Sequence, residues 1–81
     1  HVSSMRLDNI VSELAQTSRS KASEILTNQK VFVNYECETK NTKIVKVNDL
    51  ITIRGKGKFK ITEIIGNTKK GKMNIMVQYY S

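Results

Sequence analysis

The sequence predicts an α+β domain in which a two-helix N-terminal pair packs on a small, mainly antiparallel sheet of about five strands. Apolar residues recur at helical spacing as far as Leu26, and alternating β-branched residues dominate after Lys30. A chain of 81 residues is long enough for one domain with a thin core. We therefore expect residues 1–81 to fold as a single domain.

Two helices are predicted from apolar spacing, over residues 5–15 and 19–28. Ser4 and Ser18 are the expected N-caps. The apolar positions are Leu7, Ile10, Val11 and Leu14 in the first helix, and Ala22, Ile25 and Leu26 in the second. Because the two helices are short and closely joined, they should share one apolar seam.

The start of the second helix carries cations where the helix dipole disfavours them. Arg19 and Lys21 lie in its first turn, and the dipole there prefers anions. Free backbone N–H groups, the hydroxyls of Ser18 and Ser20 and the two cations could together hold a phosphate. Alternatively, Ser18 is only a cap and the cations point to solvent. The helix chemistry leaves both interpretations open.

Five strands are predicted in the second half of the chain. Asn48-Asp49 is a turn signal, and polar loops are expected over residues 36–42 and 66–71. The expected strands cover residues 31–34, 44–47, 50–54, 59–65 and 73–80. The last two should pair as a hairpin.

Positive charge is concentrated in one segment. The chain carries a net charge of +7. From Arg54 to Lys72 there are seven basic residues against one acid, Glu63, which gives that segment +6. Such a concentration favours a polyanionic partner, although a solvated face is the plainer alternative.

The sequence offers little for catalysis, cofactors or metals. The single histidine, His1, is terminal, and Cys37 lies between Glu36 and Glu38, which disfavour its thiolate. The stretch GKGKFK lacks the spacing of a phosphate-binding Walker loop. We expect no enzyme, no cofactor, no metal and, with one cysteine, no intramolecular disulfide. Without an apolar run of membrane-spanning length, we expect a cytoplasmic protein with no membrane partner.

Four blocks of sequence, in order and at fitting distances, resemble a known family. They are RLDNIV (6–11), SRSKASEIL (18–26), VFVN (31–34) and DLITIRG (49–55). Together they resemble the S-four-type RNA-binding domain, also called the alpha-L RNA-binding motif. The resemblance implies an RNA surface formed by the helix pair and the adjacent loop, at Arg6, Ser18, Arg19, Ser20, Lys21, Lys30 and Arg54. It also implies that Asp8 is structural, capping or pairing locally. Lys56 and Lys58, in the basic loop that follows, extend the candidate site.

The C-terminal third is similar to the end of the YlmH-type proteins, bacterial S-four-domain proteins. This implies a C-terminal fragment of a longer protein, with a core motif over residues 5–55 and a basic β extension over residues 56–81. It also implies ribosomal RNA and the large ribosomal subunit as partners. Lys69, Lys70 and Lys72 could enlarge the RNA-binding surface.

Two positions depart from the family pattern. Gln29 stands where the family usually has glycine, so Asn28 or Gln29 should adopt a left-handed conformation, or the helix should end differently. Tyr35 follows Asn34 where glycine is frequent, and it could stack on a base or be a half-buried strand residue.

The function we expect is a monomeric, non-catalytic module that binds structured RNA. Two alternatives are a protein–protein module that docks an acidic partner and the targeting domain of an RNA-modifying enzyme.

Overall fold

The computed structural model describes residues 4–67 and 73–80. These residues form two helices and a five-stranded antiparallel sheet of order β2-β1-β3-β4-β5, which confirms the predicted α+β fold. The elements are α1 (Leu7–Leu14), α2 (Arg19–Thr27), β1 (Val31–Val33), β2 (Glu36–Cys37), β3 (Leu50–Ile53), β4 (Gly57–Asn67) and β5 (Met73–Tyr80). Within the described ranges, no helix is long and apolar enough to cross a membrane.

The helix pair covers one face of the sheet, and the core lies between the two layers. Every apolar position that predicted the helices is buried or half-buried, because an amphipathic helix turns its apolar stripe toward the core. The largest fully buried side chains are Leu7, Ile10, Val11, Leu26, Val31, Val45, Ile51, Ile53 and Ile61. Among the described residues no helix lies on the other face of the sheet, and we call that face the open face.

The N-terminus of α1 differs from the prediction. Arg6, not Ser4, occupies the N-cap position. The first-turn amides instead donate to backbone carbonyls of a distant segment: Leu7 N to Lys43 O at 2.7 Å and Asp8 N to Asn41 O at 3.2 Å. Because these carbonyls satisfy the amides, a serine cap is not required.

The C-terminus of α2 resolves the first departure from the family pattern. Gln29 has a φ of 60°, in the left-handed region that glycine adopts most easily. The Gln29 N–H donates to Leu26 O at 3.0 Å, and the Lys30 N–H donates to Ile25 O at 3.2 Å. These two bonds form a Schellman motif, so of the alternatives that the sequence left open, Gln29 is the residue that takes the left-handed glycine position.

One predicted strand is absent from the sheet. Val45 is fully buried, but its amide donates to Met5 O at 2.8 Å, and Ile44 forms an isolated bridge with Arg6. The prediction of a strand at 44–47 was therefore wrong, because this segment pairs with the residues that precede α1. Of its apolar residues only Val45 is buried, and it closes the core next to the start of that helix.

β2, which brings the sheet to five strands, comes from a region predicted as a loop. β2 pairs with β1 in a two-residue hairpin that places Val33 opposite Glu36. The turn residues Asn34 and Tyr35 have φ values of 51° and 69°, as a type I′ turn requires. The sequence signal was weak because tyrosine rarely occupies the second position of such a turn.

The β4–β5 hairpin is longer than predicted and contains one close approach. Gly57 has a φ of 115°, and a Cβ atom there would lie 2.7 Å from Cε1 of Tyr79. The Tyr79 ring packs on Phe59, with centroids 5.1 Å apart, and its hydroxyl donates to the Lys56 carbonyl at 3.1 Å. β4 continues through Asn67, and most of the loop predicted at 66–71, together with Lys69, Lys70 and Lys72, lies outside the described residues.

Candidate nucleic-acid interface

The start of α2 presents four exposed polar residues, Ser18, Arg19, Ser20 and Lys21. Ser18 is the N-cap, as predicted, and its Oγ accepts a hydrogen bond from the Lys21 amide at 3.1 Å. The other amides of the first turn precede the first helical hydrogen bond, which runs from Ala22 N to Ser18 O. The amides of Arg19 and Ser20 therefore lie at an exposed helix start without a helical partner, and the side chains of Arg19 and Lys21 leave this start on different sides of the helix.

Arg19 is held by an acid on the neighbouring helix. Its Nη2 lies 3.1 Å from Oδ2 of Asp8, and Nη2 of Arg6 lies 2.9 Å from the same oxygen. The Asp8 side chain is 5% exposed, whereas those of Arg6 and Arg19 are 40% and 54% exposed. A buried carboxylate thus fixes two arginines whose outer edges face solvent.

The environment of Asp8 favours its charged form. Burial raises the pKa of this carboxyl, but the hydrogen bond from Arg19, the Asn9 amide bond at 2.8 Å and the charges of both arginines outweigh burial. The pKa of Asp8 is therefore lowered from its ordinary value. The expectation that Asp8 pairs locally agrees with this geometry.

Lys21 and Lys56 come together although 35 positions separate them in the chain. Both line a cavity of about 250 Å³ between α2 and the turn that joins β3 to β4. Lys21 also lies 3.4 Å from Glu24, one turn along its helix. Because this pair is exposed, it holds Lys21 only weakly.

Two further predicted residues meet at the strand ends. The Arg54 amide donates to the Lys30 carbonyl at 2.9 Å, so the residue before β1 lies beside the residue after β3. Both are exposed. Arg54 precedes Lys56 by two residues, and its bond to Lys30 brings that lysine to the same end of β3.

Lys58 does not join this group. It pairs with Thr52 and Tyr80 across the sheet, and Thr52 alternates with the buried Ile51 and Ile53. Because successive side chains of a strand point to opposite faces, Lys58 lies on the open face. The structure thus separates Lys58 from the predicted residues around the start of α2, and it places Lys30 and Arg54 together at the ends of β1 and β3. We call Arg6, Ser18, Arg19, Ser20, Lys21 and Lys56 the helix-start surface.

Sequence reasoning singled out Lys58 and Tyr35 separately but missed that they share a surface. The open face contains a cavity of about 270 Å³, which we call the open-face pocket. Its lining residues are Tyr35, Asn48, Leu50, Lys58, Lys60 and Tyr80. The alternation of Lys58 and Lys60 with Phe59 and Ile61 could have revealed it. Within residues 4–67 and 73–80, no three His, Cys, Asp or Glu side chains gather as a metal site.

Comparison with known protein families gives the origin of this arrangement. The model of the S4 domain matches residues 5–51, more than half of the chain. The chain belongs to the S4 domain family. The matched residues include both helices, β1, β2 and the segment that closes over the start of α1, which are the elements that position Asp8, Arg6 and Arg19.

One curated relative supports the resemblance to the YlmH type. The chain is 36% identical over 74 residues to the ribosome-associated protein quality control protein P2 of Bacillus subtilis (strain 168). The match covers 91% of this chain and 29% of that protein. The chain therefore spans less than a third of the length of this relative.

Solved structures share the fold at low sequence identity. A pseudouridylate synthase matches with a TM-score of 0.63 and 24% identity over 78% of this chain and 26% of its own. The 30S ribosomal protein S4e of Thermoplasma acidophilum matches with a TM-score of 0.64 and 21% identity, over 96% of this chain and 39% of its own. The trimeric heat shock protein 15 of Vibrio cholerae matches with a TM-score of 0.63 and 22% identity, over 90% of this chain and 82% of its own. At these identities the likeness establishes the fold alone.

Proposed function

We propose that this chain is a non-catalytic module that binds structured RNA through the helix-start surface, and that its target is ribosomal RNA of the large subunit. The observation that carries the proposal is the exposed start of α2, where Arg19 and Lys21 stand beside free amides and hydroxyls. Membership of the S4 family supports RNA as the ligand. The relative's ribosome-associated name supports the ribosome as the place of binding.

The geometry suits recognition of a phosphate backbone. Arginine guanidinium groups and helix-start amides are donors for phosphate oxygens, and Asp8 orients two guanidinium groups before any ligand arrives. Because side chains cannot read the deep groove of A-form RNA, such a surface recognises shape and backbone. We propose further that the domain acts as a monomer and forms the C-terminal part of a longer protein.

The test is a binding titration with purified large ribosomal subunits and with a hairpin of ribosomal RNA, each at several salt concentrations. Phosphate contacts make the affinity fall steeply as salt rises. We expect the Arg19→Ala, Lys21→Ala double variant and the Lys21→Ala, Lys56→Ala double variant to weaken both interactions. The second variant leaves both arginine contacts to Asp8 in place, so its effect is independent of helix pairing.

The matched control removes two positive charges elsewhere. Lys40 and Lys46 are exposed and lie outside the cavity shared by Lys21 and Lys56. The Lys40→Ala, Lys46→Ala variant should keep most of the affinity. If the control and test variants lose affinity equally, the interaction depends on net charge and not on the helix-start surface. If the wild type does not bind either RNA partner at low salt, the proposal is refuted and a protein partner is favoured.

A further inference from the structure

The open-face pocket is separate from the helix-start surface. Its lysines, Lys58 and Lys60, lie on the side of the sheet opposite the helices, because Phe59 between them is packed against the core. Tyr80 pairs with Lys58, and Leu50 pairs with Lys60, so the lining comes from adjacent strands. The proposed contacts of α2 with RNA leave this pocket unused.

Tyr35 occupies the rim of the pocket in an unusual conformation. Its side chain is 69% exposed, and its φ of 69° lies in the left-handed region, which disfavours a bulky residue. An exposed aromatic ring contributes little to core packing, so burial does not compensate this strain. Backbone strain is concentrated at functional sites, so this exposed ring is a candidate ligand contact.

The turn that carries Tyr35 is held rigidly. The Asn34 side chain donates to Asp49 Oδ1 at 3.0 Å and accepts from the Leu50 amide at 3.0 Å. Asp49 in turn accepts from the Lys46 amide at 2.8 Å. Two neighbouring turns are thereby locked together, and the ring is positioned before a ligand binds.

The chemistry of the pocket combines aromatic faces with ammonium groups. The Nζ atom of Lys58 lies 5.4 Å from the centre of the Tyr35 ring, and Tyr80 is also partly exposed. Aromatic rings on an open sheet stack on unpaired bases, and adjacent lysines contact the phosphates. A paired base cannot offer its face to such a ring, so this set of groups suits an unpaired nucleotide.

We propose that the open-face pocket binds one unpaired nucleotide of RNA, with the base stacked on Tyr35 and the phosphate beside Lys58 and Lys60. This inference rests on the proposed RNA-binding function and adds a second contact class to it. The helix-start surface binds the backbone of structured RNA, and the open face binds a nucleotide that has left its helix.

The experiment uses two probes with the 81-residue chain: a fluorescent octamer of uridine, which stays single-stranded, and a blunt RNA hairpin whose loop is a non-nucleotide linker, so that it contains no unpaired nucleotide. Tyr35→Gly removes the ring and relieves the left-handed strain, so the unfolding midpoint should be unchanged or raised. We expect its affinity for the octamer to fall about 5- to 100-fold and its affinity for the hairpin stem to change less than about twofold. Tyr35→Phe should keep the octamer affinity.

Lys58→Gln gives a second measurement. Affinity falls as salt rises, so the slope of log affinity against log salt is negative. Loss of one phosphate contact should make this slope for the octamer shallower by about 0.7. The Lys21→Ala, Lys56→Ala variant should weaken the hairpin more than the octamer, which separates the two surfaces.

Each failure has a distinct meaning. If Tyr35→Gly leaves octamer binding unchanged while the hairpin still binds wild type, the pocket proposal is overturned and the proposed function stands. If neither probe binds wild type, both are overturned. Binding of an oligoglutamate with similar affinity, unaffected by Tyr35→Gly, would mean charge attraction alone and would also overturn the pocket proposal.

Discussion

The guanidinium of Arg19 donates a hydrogen bond across the helix pair to the buried carboxylate of Asp8, with Nη2 and Oδ2 3.1 Å apart. This bond explains why a cation can stand at the start of α2. The anion that the helix dipole favours is supplied by α1, and it is a permanent part of the fold. Arg19 therefore stabilises the helix pair and still exposes half of its side chain to a ligand.

Asp8→Asn should lower the stability of the domain in a pH-dependent way. The amide loses the charge and leaves Arg6 and Arg19 to repel each other, so we expect a loss of about 1–2 kcal/mol in the free energy of unfolding at pH 7. The pKa of Asp8 is lowered in the fold, so its contribution is complete above the unfolded value of about 3.9 and is lost as pH falls through the folded value. Urea unfolding at pH 7 and at pH 3 measures this, and the difference in unfolding free energy between the two proteins should be smaller at pH 3.

Glu24→Gln is the control for that experiment. Glu24 pairs with Lys21 at 3.4 Å, but both side chains are more than half exposed, so its loss should change stability by less than about 1 kcal/mol. A difference between Asp8→Asn and wild type that stays constant from pH 7 to pH 3 would contradict the role given to the carboxylate.

Gln29→Gly should stabilise the domain. A glutamine at a φ of 60° is strained, and glycine adopts this conformation without strain. After the greater freedom of glycine in the unfolded chain is allowed for, we expect a gain of about 0.5–1 kcal/mol, measured by thermal or urea unfolding. Asn28→Gly, at a φ of −79°, is the matched change and should destabilise. Stabilisation by both would contradict the assignment of the gain to relief of strain at Gln29, because the greater freedom of glycine in the unfolded chain can only destabilise.

Gly57→Ala should destabilise the β4–β5 hairpin. The φ of 115° is strained for alanine, and the new Cβ would lie 2.7 Å from the Tyr79 ring. We expect a loss of about 1–3 kcal/mol in unfolding free energy and displacement of the Tyr79 hydroxyl from the Lys56 carbonyl. Gly66→Ala is the control, because a Cβ there meets no atom within 4 Å. Equal effects at the two glycines would show that the close approach is unimportant.

The local features of this domain were predictable, and the tertiary ones were not. Helix positions follow from i, i+3, i+4 spacing, and the caps of α2 follow from Ser18 and from the residue in the usual glycine position. In contrast, Val45 reads as part of a strand, but its amide partner is Met5, far away in the chain. Only the folded chain reveals that pairing.

The candidate site shows the same division. Lys56 and Lys58 look equivalent in the stretch GKGKFK, but one lies in a turn beside Lys21 and the other on the open face beside Tyr35. Because Gly55 and Gly57 have no side chain, the sequence does not show at which residue the alternation of β4 begins. The role of Asp8 was expected from the family resemblance, and its partner Arg6 is only two residues away in the chain. The bond to Arg19 follows only from the contact between the helices.

The alternation of charge along β4 also protects the strand against misalignment. Lys58 and Lys60 face solvent while Phe59 and Ile61 face inward. A slip of one residue in pairing with β3 would bury two ammonium groups and expose an aromatic and an aliphatic side chain, since the side-chain period of a strand is two. The two lysines therefore make the shifted register unfavourable. An insertion or deletion of one residue in the β3–β4 turn that forced this shift should destabilise the fold.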